Sequence, residues 1–413
     1  MWGRTMEQTW RWFGPNDRVT LRDAREAGAE GIVTALYEVP AGEVWPVELI
    51  KRRQAEIEAA GLRWSVVESL DVIETIKMRA PGWQRDTENF KKSLRNLSKC
   101  GIRTVAYNLM PLFSWMRTHL HAPAPDGGFT TRFDATAFAA FDLWILKRKG
   151  AEDEWGEELS RTADAYLHAL TAREREELQE TILQGLPGGN GSYTLQQVRD
   201  LLAQYADVRE TGFRENAGEF LRSVCPVAAE LGVKLCIHPD DPPRPLLGLP
   251  RIVSTADDLE WLMTQSEVDA NGITFCTGAL GVRHDNNLLA MLRRFAPRIG
   301  FFHLRSTQRE NMVRNATSQP MESFFEAAHL NGDADLIGIV AEMVKEERRR
   351  IAAGEDARIP FRADHGQELL NDRERAAAPA YPAVGRLRGL AELRGAMRMA
   401  ERLMTEVGQH GTL

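Results

Sequence analysis

The chain has 413 residues and a formal net charge of −7, an acidic balance that argues against a dedicated nucleic-acid binder. With 43% hydrophobic and 27% charged residues it can bury one large core or two ordinary ones, and no stretch reaches the ~20 apolar residues that a membrane span requires. The N-terminal MWGRTMEQTWRWFG has no apolar signal core and four cysteines make no disulfide framework, so a cytoplasmic protein with free thiols is expected.

In chain order, short β-like runs alternate with longer helical ones. Gly31–Leu36 reads as the first clear strand, Arg63–Val67 as the second and Thr104–Asn108 as the third. Residues 138–218 differ: DEWGEELSRTADAYLHAL and TAREREELQETILQG are charged and helical, and PGGNGSY (Pro187–Tyr193) reads as a turn. This stretch is expected to be a helical insertion in a single domain spanning 1–413. The alternation then resumes. Helix Phe220–Leu231 stops at Gly232, and strand Val233–Ile237 follows. Helices at Asp257–Gln265, Asn287–Arg294 and Ala334–Ala353 lead to strands Gly272–Phe275, Ile299–Phe302 and Arg358–Arg362. Arg348–Arg350 follows Glu346 and Glu347 and reads as a solvated helix face.

Repeated strand–helix units predict a parallel sheet covered by helices. About eight units are present if a weak strand near the N-terminus is allowed, which favours an α/β fold of the closed (β/α)8 TIM-barrel type. No GxGxxG follows the first strand, so a dinucleotide-binding sheet lacks its phosphate loop.

The last four strands end in KLCIHPDD, GITFCTGA, GFFHLRS and PFRADHG. Each run stops on a side chain able to bind a metal: His238, Cys276, His303 and Asp364. Taken singly, each has an ordinary structural role: a hydrogen-bonded surface histidine, a core cysteine, a helix cap. In a barrel, the C-terminal strand ends converge on one mouth, and the four together predict a metal site there. Two imidazoles, a thiolate and a carboxylate form a borderline-soft set, too soft for magnesium or calcium and open to zinc, iron(II) or manganese(II).

At these residues the chain resembles the D-mannonate dehydratase family, metal-dependent relatives of the xylose isomerase-like barrels. The resemblance is carried by MEQTWRWFGPND, GEVWPVE, WSVVES, FAAFDLWILKRKGAE and HPDDPPRPLLGLPRIVST. It continues through CTGALGVR, HLRSTQRE, EAAHLNGDAD, DHG and YPAVGRLRGLAELRGAM. It implies a TIM barrel that removes water from D-mannonate to give 2-keto-3-deoxy-D-gluconate. It also implies Mn2+ or Fe2+ held at His238, Cys276, His303 and Asp364, with proton transfer at His365 and Tyr381. Which of that pair is base and which acid stays open. Arg283 and Arg305 are expected to hold the substrate carboxylate, the alternative being a surface arginine paired with a loop acid. Asn108 and Asp240 are expected to bind sugar hydroxyls, the alternatives being a turn former for Asn108 and a residue behind the ligands for Asp240. A homo-oligomer is expected, since barrels of this kind pair through their outer helices.

The chain departs from the family pattern at Tyr37 and Glu38 in place of a His-His pair, and at Ile73 in place of His. Ser114 and His119 replace acids, His284 interrupts Arg-Ala-Asp, and Phe325 replaces the His before Glu326. These changes are read as a pocket in which the metal chemistry is kept and recognition of the sugar chain is altered. The leading reading is thus a sugar-acid dehydratase with D-mannonate as default substrate. The alternatives are a lyase or isomerase for another sugar acid or a sugar derivative and a metal-binding barrel without turnover.

Overall fold

The computed structural model describes residues 6–186 and 192–410, with side chains described to residue 405. Residues 187–191 of the expected turn lie outside the described residues. The strands are β1 (Glu7–Arg11), β2 (Gly31–Thr34), β3 (Arg63–Glu68), β4 (Thr104–Tyr107), β5 (His119–Pro123) and β6 (Phe129–Phe133). They continue with β7 (Lys234–Ile237), β8 (Asn271–Cys276), β9 (Ile299–Leu304), β10 (Thr307–Arg314), β11 (Pro320–Glu326) and β12 (Pro360–Ala363).

Eight of them close into a parallel barrel in the order β1-β12-β9-β8-β7-β4-β3-β2. This is the expected (β/α)8 architecture, and β1 is the weak N-terminal strand it needed. Strands β8 and β9 are buried along their whole length, because helices cover the outside and side chains fill the inside; hence their continuous apolar reading. Three of the intervening helices start where side chains satisfy free backbone N–H groups. Thr255 and Asp258 form a capping box on helix Ala256–Thr264, Asn287 caps Leu288–Phe295, and Asp335 caps Leu336–Ala353.

Inside the barrel, Val33, Val66, Ala106, Cys236 and Phe301 form a buried cluster drawn from five strands. Successive strand residues point to opposite faces, so two positions further on the same inner face continues. There stand Glu68, Asn108, His238 and His303, at the C-terminal mouth. The same step leads from Thr274 to Cys276, from Thr9 to Arg11 and from Arg362 to Asp364. A period of two therefore places a layer of polar side chains on an apolar plug.

Two features differ from expectation. A second, antiparallel sheet in the order β10-β11-β6-β5 lies outside the barrel. Its outer strand β10, TQRENMVR, is mostly exposed and carries no apolar alternation, so nothing in its sequence signals a strand. In addition, helix Glu210–Glu230 runs unbroken through residue 218, so the expected insertion boundary falls inside one helix. The excursion also opens earlier, with β5 and β6, before helix Ala135–Ala140. The sheet and the helices meet on aromatic rings: Phe133 of β6 lies 5.4 Å from Phe138, with Phe324 of β11 stacked on Phe133 at 5.7 Å. Among the described residues no helix is long and apolar enough to cross a membrane.

Candidate metal centre and proton-transfer site

His238, Cys276 and His303 bring one ligand atom each to within 4.8 Å of one another. His238 Nδ1 lies 2.6 Å from the Pro239 carbonyl, which can only accept; that nitrogen therefore carries the proton and Nε2 is bare. Nε2 faces His303 Nδ1 at 3.1 Å. His303 Nε2 has no hydrogen-bond partner, and the nearest acid oxygen is Glu68 Oε2 at 3.7 Å. If the His303 proton sits on that side, two imidazole lone pairs converge on one point, an arrangement that a cation relieves. Asp364 reaches the same place less closely, with Oδ2 3.7 Å from His303 Nδ1, while its Oδ1 is held by Arg362 Nη2 at 2.6 Å.

The environment suits ligands. Burial drives the His303 imidazole well below its usual range, with the Arg362 guanidinium adding to the shift; neutral imidazole is the metal-binding form. Burial pushes the Cys276 thiol up to about 12, against the pull of Arg305 and the Ala279 N–H. An unmetallated Cys276 is therefore a thiol, and a bound cation has to displace its proton. Burial alone would raise the Asp364 carboxyl, but Arg362 overrides it and holds it low. The residues present fit a divalent, borderline-soft cation.

Next to this set, Tyr381 Oη lies 3.2 Å from His365 Nε2. His365 Nδ1 lies 3.1 Å from Glu326 Oε1. That approach is an ion-pair contact without hydrogen-bond geometry, and the hydrogen-bonded partner of the ring is the Tyr381 hydroxyl at Nε2. Burial keeps the Tyr381 hydroxyl protonated well above its usual range, with the Asp364 charge acting in the same direction. Glu326 is itself fixed. Arg305 donates to both its oxygens at 2.6 Å and Arg117 donates to it at 2.7 Å. The same two arginines hold Asp241, Arg117 at 2.8 Å and Arg305 at 2.6 Å. The result is a buried, charge-balanced array of Arg117, Arg305, Asp241 and Glu326 beneath the histidine. Burial would raise the Glu326 carboxyl, but Arg305 and its neighbours hold it well below the usual range. Gly278 makes room for the array: a Cβ there would meet Arg305 Cγ at 2.4 Å.

Of these groups, His238, Asp241, Arg305, Asp364, His365 and Tyr381 line a cavity of about 50 Å³, and Cys276 and His303 are not part of its lining. Through Ser69, Asn108, Met110 and Ser114 it adjoins a larger one of about 440 Å³, walled by Arg11, Tyr37, Ile73 and Glu74 among others.

The other expected substrate contacts are placed differently. Asn108 stands on the wall shared by both cavities, its Oδ1 accepting the Met110 N–H at 3.1 Å. Arg305 also lines the smaller cavity, but every guanidinium nitrogen is bound to Glu326 or Asp241, so it braces the site and is not a free anion hook. Arg283 does not reach either cavity; its Nε is held by Asp285 at 2.9 Å. Asp240 is buried outside both, accepting the Val253 N–H at 2.7 Å and the Ser254 hydroxyl at 2.9 Å, and burial raises its carboxyl to about 6. It fastens the loop, and the neighbouring Asp241 is the acid that faces the site.

Of the departures from the family pattern, only Tyr37, Ile73 and Ser114 line a cavity. Glu38 pairs with Arg52 at 3.0 Å and Arg53 at 3.2 Å. His119 bonds Thr118 at 2.9 Å, His284 bonds Glu322 at 2.7 Å, and Phe325 is packed within β11. Those four cannot touch a ligand in this pocket. Sequence reasoning missed Glu326, Arg117, Arg362, Arg11 and Glu68. Arg362 was within reach, since it shares the inner face of β12 with Asp364 two positions on. Arg117 and Glu326 carry no such signal, because they come from the unanticipated second sheet and the loop before it.

A family model described as D-mannonate dehydratase (UxuA) matches residues 6–406. The mannonate dehydratase of Marinomonas sp. (strain MWYL1) is 51% identical over 390 residues, 94% of this chain and 98% of that protein. The mannonate dehydratase of Chromohalobacter salexigens is 51% identical over 390 residues, 94% of this chain and 97% of that one. The crystal structure of mannonate dehydratase from Streptococcus suis serotype 2 superposes with a TM-score of 0.75 at 29% identity, covering 98% of this chain and 95% of that one. A xylose isomerase domain protein from Planctomyces limnophilus shares the fold, with a TM-score of 0.50 at 10% identity over 98% of this chain and all of that one.

Proposed function

The chain belongs to the D-mannonate dehydratase family, a family of hydro-lyases, and from that premise we propose that it converts D-mannonate to 2-keto-3-deoxy-D-gluconate at the mouth cavity with Mn2+ or Fe2+. The observation that carries the reading is the juxtaposition of the converging His238 and His303 nitrogens with the His365–Tyr381 pair. When bound by His238, Cys276, His303 and Asp364, the cation would stabilise the enediolate charge that develops as the C2 proton leaves.

The remaining steps belong to side chains. His365 Nε2, with Nδ1 turned to Glu326, is the base for the C2 proton. Tyr381, kept protonated by burial, is the acid that hands its proton to the C3 hydroxyl, which departs as water. The tyrosinate recovers a proton from His365 across their 3.2 Å contact, so the C2 proton closes the cycle. The enol left behind gives its C2 hydroxyl proton to solvent, takes one from solvent at C3 and becomes the 2-keto acid. Asn108 and Ser114 stand where they would hydrogen-bond the sugar chain. The four free thiols suit a cytoplasmic enzyme. A homo-oligomer is part of the proposal, and light scattering in solution measures it.

The test is an assay of the manganese-loaded, reductant-treated protein with D-mannonate, following 2-keto-3-deoxygluconate. Turnover is expected. A protein that holds one equivalent of metal and gives no product overturns the assignment.

A further inference from the structure

Arg305 is bound on every nitrogen and Arg283 lies outside the cavity, so Arg362 is the arginine lining the smaller cavity that still has unpartnered donors. We propose that Arg362 binds the substrate C1 carboxylate and is the residue that selects a sugar acid over a neutral polyol. The inference rests on the reading of this cavity as the active site.

Position comes first. Arg362 is paired in register with His303 across β12 and β9 and lies two residues before Asp364 on the same inner face. Its guanidinium carbon is 5.9 Å from the Tyr381 ring centre, and the residue lines the small cavity. A carboxylate adjacent to the carbon that His365 deprotonates has to lie in this neighbourhood.

Available hydrogen-bonding capacity comes second. Arg362 is 1% exposed. Nη2 is engaged by Glu68 at 3.1 Å and Asp364 at 2.6 Å, whereas Nε and Nη1 are buried with no hydrogen-bond partner. Buried guanidinium N–H groups left without acceptors are costly, and a carboxylate is the acceptor such donors fit best. Arg11, also 1% exposed, pairs with Glu68 Oε2 at 3.0 Å. Glu68 is thus divided between two arginines and does not saturate Arg362.

Charge comes third. Arg11 and Arg362 are balanced by Glu68 and Asp364, and the array around Arg305 balances itself. A divalent cation with the Cys276 thiolate leaves one positive charge over, which matches a single carboxylate.

The test compares binding of D-mannonate and of the neutral hexitol D-mannitol by calorimetry on manganese-loaded protein, with metal content measured for every variant. Native protein is expected to favour D-mannonate strongly. Arg362→Gln should lose at least about tenfold of that preference, through weaker D-mannonate binding with D-mannitol unchanged. Arg362→Lys keeps a cation beside Asp364 but not the two free donors, and should lose part of it. The proposal is overturned if the preference survives in a variant that holds metal. It is equally overturned if both variants lose metal, because Arg362 then acts only by positioning Asp364. Native protein that holds metal and binds no D-mannonate would instead refute the active-site reading itself.

Discussion

At the ends of β7, β8, β9 and β12 the barrel mouth presents His238, Cys276, His303 and Asp364. At the ends of β1, β3 and β4 it presents Arg11, Glu68 and Asn108. The first half gathers possible ligand atoms, those of His238, Cys276 and His303 within 4.8 Å of one another; the second supplies hydrogen bonds and charge spread along a wall. The three departures that reach a cavity, Tyr37, Ile73 and Ser114, all lie on the wall side. The difference is one of geometric tolerance. A set of ligand atoms within 4.8 Å fails if one moves by an ångström, whereas a wall facing a cavity of about 440 Å³ can exchange one contact for another. The departures therefore do not require a new substrate, and full-length relatives carrying the mannonate dehydratase name are 51% identical to this chain.

Breaking the convergent half should have the largest effect. His303→Ala is expected to leave the protein with well under one equivalent of metal and to lower kcat/KM by about a thousandfold or more. Metal analysis and the product assay together check it, and retained metal with normal turnover would move the centre elsewhere. Tyr381→Phe should keep metal and lower kcat by about 10²–10⁴-fold with little change in KM. A loss confined to KM would make the tyrosine a binding group.

Glu326→Gln probes the brace between the halves. Removing a charge from the buried array should cost about 3 kcal/mol of stability, read as the shift of a urea midpoint. It should also lower kcat, because His365 loses the carboxylate beside its Nδ1. An unchanged midpoint would mean that the array is not closed in solution. On the wall, Ser114→Ala should raise KM by only about two- to tenfold, and a larger change would show the wall to be as exacting as the ligand set. Smallest of all, Arg283→Ala should change kcat/KM by less than about twofold. A substantial loss would restore the role expected of it from sequence.

The strand ends of the second half-barrel were legible because buried parallel strands read as apolar runs, and a run that stops on His, Cys or Asp stands out. β1 was barely legible, since EQTWR is mostly polar even though it is wholly buried. Its Glu7, Thr9 and Arg11 find polar partners inside the fold, and periodicity cannot report those. Asp240 and Asp241 are adjacent and chemically identical in sequence. Only the loop course, with Val253 and Ser254 folded back on Asp240, separates a fastener from a site residue. Arg305 looked like a free hook because the acids that occupy it, Asp241 and Glu326, lie on other segments, 64 and 21 positions away. Charge pairing over such separations leaves no mark in local sequence.

The second sheet has a consequence for the order in which the molecule acquires its parts. It joins segments on either side of β7, β8 and β9: the Thr130 hydroxyl donates to the Glu326 carbonyl at 2.7 Å across 196 positions. Contacts of that separation carry a heavy loop-closure cost until intervening structure brings the ends together. The β/α units pair mostly with neighbours and can assemble first. The sheet, and with it the seat of Glu326 beneath His365, has to wait until β7, β8 and β9 are in place. The scaffold is therefore expected to exist before the enzyme does, and recovery of activity on refolding should lag behind recovery of helix signal.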